Sequence, residues 1–182
     1  MRVVPFDFEA AARWAADLLT LPLSEDAAQL ARDTVACAGL TVPALPAQAE
    51  PLPLTTWLDL ESAALQAQVR AALVRPHPAG LDPLAGMVVP GCAFAACRDN
   101  DLSLAAALLE LLLHWRSPHA VDVADFLAFQ QRADGACGYL NPLRPAPFAR
   151  HEAALRFHLP ATHAVTRALA AYELSEVARV HA

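Results

Sequence analysis

The chain has 182 residues, a formal net charge of −6, 56% hydrophobic residues and a mean hydropathy of +0.32. That length suits one helical domain, residues 1–182, with a sizeable core. Its 13 cationic residues are all arginines, scattered rather than gathered into a stripe, which argues against nucleic acid as a partner.

The N-terminal MRVVPFDFEA meets two acids within nine residues and has no continuous apolar core, so no secretory signal is expected. Asp7 is placed to cap a first helix over Phe8 to Leu19, with Trp14 and Leu18 at i, i+4. Ser24 is placed to cap a second, with Glu25 and Asp26 in its first turn and Gly39 as its stop. TVPALPAQAEPLPLTT, residues 41–56, has four prolines and forbids a regular helix. It reads as a linker over apolar surface, with a functional loop as the alternative. Thr56 and Asp59 form a variant capping box, predicting a third helix that contains Trp57, Leu60, Leu65, Val69 and Leu73.

Residues 79–98 carry Gly and Pro at close intervals. A short buried helix at Cys92 to Cys97 and a brief strand at Met87 to Val89 are the available readings. Asn100 or Asp101 then caps a helix reaching Trp115, apolar nearly all round and therefore central. It contains the longest apolar run, LAAALLELLLHW at 104–115, which Glu110 interrupts. That run is shorter than the ~17 residues a membrane span needs. Ser117-Pro118 starts a further helix to about Arg132. The last begins near Pro160 and runs almost to the end, with Val165, Leu169, Tyr172 and Val177 as its stripe. The expected fold is all-α, built from antiparallel helical hairpins.

FLAFQQRADGACGYLNP, residues 126–142, departs from this pattern. Gly135 permits a positive φ after Asp134, the amides of Gln130 and Gln131 suit orphan backbone groups at helix ends, and Gly138 permits close passage under Tyr139. Phe126, Leu127, Gln130 or Gln131, Asp134, Gly135, Gly138 and Tyr139 together resemble the QW-type repeat of squalene–hopene cyclases and prenyltransferase-like α/α toroids. That family repeats FLxxQxxDGxxG followed by an aromatic, usually Trp; here the motif occurs once and Tyr139 takes the aromatic place. The resemblance implies a hairpin at this point and a partial α/α toroid.

It also directs attention to catalytic and metal residues. Class II cyclases protonate through DxDD, and the nearest counterpart, Asp99-Asn100-Asp101-Leu102, lacks the last Asp. Asp99 and Asp101 are therefore acid candidates, with helix capping as the favoured reading. Toroid enzymes bind zinc through Cys, His and Asp; Asp134, Cys137, His158 and His163 supply such groups, and His151 lies nearby. None has standard ligand spacing, nor do Cys92 and Cys97, so no metal or cofactor is expected. Cys137 with a downstream histidine is the one nucleophile candidate. Without framework spacing, the four cysteines read as buried reduced thiols in a cytoplasmic protein. Arg144, Arg150, Arg156 and Arg167 read as a solvated rim paired with Glu152 and Glu173, with binding of an acidic group on a substrate or peptide as the alternative.

Functionally, these features fit a binding or accessory protein for an apolar peptide, a partner protein or an apolar small molecule. A compact toroid-type enzyme acting on a prenyl chain or peptide is the alternative, and a structural homodimer the third reading.

Overall fold

Leucine and alanine dominate LSLAAALLELLLH, and this segment forms the helix around which the others pack. The computed structural model describes residues 5–45, 50–75, 85–138 and 154–180. Its α-helices are α1 (Phe8–Leu18), α2 (Glu25–Ala38), α3 (Ser62–Leu73), α4 (Ala85–Arg98), α5 (Leu102–His114), α6 (Ala120–Phe129) and α7 (Leu159–Val180). A 3-10 turn, Leu54–Asp59, precedes α3, and one π-helical turn, Ala154–His158, leads into α7. The fold is all-α, and among the described residues there is no strand, only one isolated bridge between Gln131 and Cys137. None of the described helices is long and apolar enough to cross a membrane.

α5 packs against α3, α4, α6 and α7, while α2 packs against α1 and α7. Leu108, Leu109, Leu111 and Leu112 are fully buried, each contributing roughly 1.5–3 kcal/mol by leaving water. They share one core with Trp57, Val69, Val89, Val123, Leu127 and Val165. A smaller cluster of Leu18, Ala31 and Leu159, backed by Trp14 and Leu30, sits where α1 and α2 meet α7.

Local chemistry sets the helix starts. Asp7 accepts from the Ala10 N–H at 2.9 Å, Ser24 from Ala27 at 3.3 Å, and Asp101 from Leu104 at 3.1 Å. Each satisfies one orphan donor of a first turn. The helix ends use a device the composition hides. α2, α4 and α5 each close with paired 6→1 and 5→2 backbone bonds, such as Thr41 N–H to Ala36 O and Leu40 N–H to Cys37 O. The left-handed residues are Leu40, Asn100 and Arg116, not glycines. Gly39, expected as the left-handed stop of α2, has φ −81° and precedes that position.

Several expected elements are corrected. Residues 87–89 are not a strand but lie within α4, which begins at Ala85 rather than Cys92. Ala85, Val88, Val89, Cys92, Ala93 and Ala96 are buried at helical spacing. Pro90 forfeits only the bond to the Gly86 carbonyl, and Gly86 faces solvent. The Thr56–Asp59 box does not open α3: the Thr56 hydroxyl donates to Pro53 O at 2.8 Å inside the 3-10 turn. Extended backbone at Leu60 separates that turn from α3, which starts at Ser62. The Trp57 indole N–H donates to Leu52 O at 3.1 Å, fixing the buried ring under the turn. α6 is also shorter than expected, from Ala120 to Phe129 rather than from Pro118 to Arg132.

The Asp101 cap gives a direct test. Asp101→Ala should cost about 1 kcal/mol and Asp101→Asn much less, read as urea midpoints, because Asn caps comparably.

Candidate functional site

The Gln131–Gly138 turn fastens three parts of the chain together. The Gln131 side chain accepts from the Asp7 N–H at 2.7 Å and donates to Asp7 O at 2.8 Å and Gly135 O at 3.3 Å. It thereby clasps the start of α1 to the turn. Gln130 is the C-cap residue of α6 and takes no part in this clasp. Asp134 accepts from the Ala136 N–H at 3.2 Å and from Arg132 at 2.9 Å. Gly135 has φ 93°, and a Cβ there would collide with the Ala10 carbonyl. Gly138 has φ 137°, and a Cβ would meet His158 Nδ1 at 2.6 Å. Tyr139 lies outside the described residues, as do Arg144, Arg150, His151 and Glu152.

The same geometry commits the groups that sequence reasoning offered to chemistry. His158 Nδ1 lies 3.0 Å from the Cys137 carbonyl oxygen and Nε2 lies 3.2 Å from Arg132 Nη1. Nδ1 therefore donates and Nε2 accepts, and the ring faces the Cys137 backbone. The Cys137 N–H donates to Thr162 Oγ1 at 2.8 Å. Burial pushes the Cys137 thiol up to about 12, far from the thiolate a nucleophile needs. Burial likewise raises the Cys37 and Cys97 thiols to about 11. All four cysteines are free thiols.

Asp99 and Asp101 stand at the α4–α5 junction with different partners. Asp99 pairs with Arg98 at 2.8 Å, and that hydrogen bond holds its exposed carboxyl below the usual range. Such a group is a poor proton donor at neutral pH. Asp101 accepts from the Leu104 N–H and from the Ser62 hydroxyl. Both border a hollow of about 420 Å³ walled by Trp57, Leu65, Cys92 and Leu104.

His163 is remote from the turn network in its contacts. Thr34 Oγ1 donates to Leu30 O at 2.7 Å and lies 3.3 Å from His163 Nδ1. Its one proton is spent on Leu30, so His163 Nδ1–H donates to Thr34. Nε2 is left as an acceptor with no partner among the described residues. No group of three or more His, Cys, Asp or Glu suited to a metal occurs among them.

A second polar constellation surrounds His163, and it was not anticipated. Arg167, expected on a solvated rim, is instead only 13% exposed and pairs with Glu110, also 13% exposed. Its Nε donates to the two Glu110 oxygens at 3.0 and 3.3 Å, and Nη1 donates to Pro43 O at 2.7 Å. This ties the Pro-rich connection to α7. The connection is also held at Leu52, whose N–H donates to Gln68 at 2.6 Å. Burial pushes the Glu110 carboxyl above its ordinary range, against the pull of Arg167.

Glu110, His163 and Arg167 line a cavity of about 280 Å³ between α3, α5 and α7. Leu30, Leu45, Leu73, Ala106, Ala107 and Ala164 provide apolar wall, and Gln66, Arg70 and Ser103 the remaining polar lining. The volume is close to the lower end of small-molecule sites. Apolar walls with a few convergent polar groups, one of them a buried acid with a raised pKa, are the usual marks of a ligand or active site. The available sequence signal was Glu110 itself, a lone charge inside the most apolar helix.

Burial lowers the His163 pKa, with Arg167 and Arg70 acting in the same direction and Asp33 opposing. The unfolded ring titrates near ~6.5, so the native state binds fewer protons below that pH. Stability should fall as pH drops from about 7 toward the depressed folded pKa. Glu110 acts oppositely, since protonation relieves its burial. The His163 contribution is therefore the difference between wild type and His163→Gln, whose denaturation midpoint should fall less over this range.

Comparison with family models, with curated proteins and with solved structures finds no match to this chain.

Proposed function

We propose that the chain is a binding or accessory protein for a small apolar molecule with one polar end, held in the cavity between α3, α5 and α7. One observation carries this reading: a buried Glu110–Arg167 pair and an unpartnered His163 Nε2 converge on an otherwise apolar cavity. A packed core gains little from such groups. Replacing a buried ion pair by apolar residues is often neutral or stabilising. A ligand with an apolar body and a polar end would use both the apolar walls and the polar groups among them. The committed hydrogen bonds of Asp101, Cys137 and His158 favour this cavity over the α4–α5 junction and the turn.

The neutral fluorophore N-phenyl-1-naphthylamine tests the reading. It should bind saturably at one site per chain. Ala107→Leu fills the cavity from α5 and should weaken binding at least ~10-fold, since steric exclusion removes more contact than the added methyls return. Unchanged affinity in a variant with wild-type circular dichroism would place the dye elsewhere and overturn the assignment.

A further inference from the structure

We infer that the molecule held in this cavity is an amphipathic monocarboxylate, with its carboxylate on Arg70 and its apolar tail along Leu30, Leu73 and Ala107. This rests on the cavity being a ligand site and adds the chemistry of the ligand's polar end.

The charges that line the cavity decide the sign. Arg70 and Arg167 are cationic, and Glu110 is the sole acid among the described lining residues. The lining therefore carries a formal charge of about +1 in a chain whose total is −6. Asp33 on α2 acts on His163 but does not line the cavity. Glu110 is already occupied by Arg167, so it offers little to an incoming ammonium. Arg167 is spent in turn on Glu110 and Pro43. Arg70, in the last turn of α3, has no hydrogen bond or ion pair among the described residues, yet its charge reaches both Glu110 and His163. A guanidinium fork fits a planar carboxylate through two parallel bonds. One negative charge balances the lining, whereas a dianion would leave a charge uncompensated beside apolar walls.

The depth of each group sets the orientation. Glu110 and Arg167 are mostly buried, while Arg70 is exposed. A carboxylate driven inward would lie beside Glu110 and be repelled, whereas one held at Arg70 stays partly hydrated. The tail then enters among Leu30, Leu73 and Ala107. His163 Nε2 remains available to a hydroxyl on that tail, because an acceptor rewards a donor and not a second carboxylate.

The test is calorimetric titration of the full chain with octanoate, octanol and octylamine, which share a tail and differ at the end. Octanoate should bind about 10-fold more tightly than octanol, the scale of one hydrogen bond to a charged group, and octylamine should be weakest. Arg70→Gln should abolish the preference for octanoate while octanol binding is retained, and Arg70→Lys should keep part of it. Arg70 is exposed, so neither change threatens folding. Equal affinity for octanoate and octanol, a preference for octylamine, or an octanoate preference that survives Arg70→Gln would overturn the carboxylate assignment and leave the cavity reading standing. Failure of all three ligands to bind wild type would overturn both.

Discussion

Gly135→Val is expected to destabilise the protein by about 2–6 kcal/mol. Two costs of about 1–3 kcal/mol each combine: a β-branched residue forced to a positive φ, and overpacking of a site without space. Gly135 has φ 93°, and its missing Cβ is where the Ala10 carbonyl of α1 lies. The turn cannot retreat easily, because Gln131 holds the Asp7 backbone from both sides. Gly138→Ala should cost less, about 1–3 kcal/mol. The atom in its way is a side-chain nitrogen of His158, although moving it loosens the bond to Cys137 O. Gly39→Ala serves as the control. With φ −81° and its nearest contact at 3.4 Å, it should be neutral or gain a few tenths of a kcal/mol from a less flexible unfolded chain. Chemical-denaturation midpoints would rank the three. A Gly135→Val midpoint equal to wild type would mean that α1 does not press on the turn.

Arg167→Met is expected to cost about 3–5 kcal/mol, the penalty for leaving a buried carboxylate without its cation. The substitution keeps much of the side-chain length, so lost packing is a small part of the effect. Adding Glu110→Leu should recover most of the loss, because the double variant contains no orphaned charge. The remaining deficit is the bond from Arg167 to Pro43 O, worth roughly 1 kcal/mol. A further signature is pH. With Arg167 gone, the desolvation that raises the Glu110 pKa is opposed by Arg70 alone, so Arg167→Met should regain stability as pH falls through that raised value. A cost below about 1 kcal/mol would show that the pair behaves as an exposed one.

Helix caps were legible in the sequence because capping is a local matter. Asp7, Ser24 and Asp101 each reach a backbone N–H three residues ahead, and no tertiary contact is needed to place them. α4 was obscured by Gly86, Pro90 and Gly91, read as breakers although the apolar stripe beneath them keeps its period. Packing of that stripe against α5 outweighs the roughly 3 kcal/mol penalty of one helical proline. Leu40 and Arg116 show the converse. A rule that looks for glycine at helix ends misses a left-handed residue held by paired backbone bonds.

The site was legible only in fragments. Glu110 and Arg167 are 57 positions apart, and Gln131 and Asp7 are 124 apart. Such pairings depend on how helices meet, which periodicity in one segment does not encode. Arg167 looked like a rim residue because it belongs with Arg144, Arg150 and Arg156 to the arginine-bearing last third of the chain. The cavity was invisible for a related reason: alanines 106, 107 and 164 read as good helix formers, and their small side chains leave space between α5 and α7.

Backbone amide NMR of the 15N-labelled chain during an octanoate titration would probe the cavity most directly. Saturable shifts should centre on Leu73, Ala106, Ala107, His163 and Ala164, with Asp101, Cys137 and Gly138 scarcely moving, and Ala107→Leu should abolish them. Saturable shifts centred on the α4–α5 junction or the 131–138 turn, unaffected by Ala107→Leu, would contradict the cavity assignment.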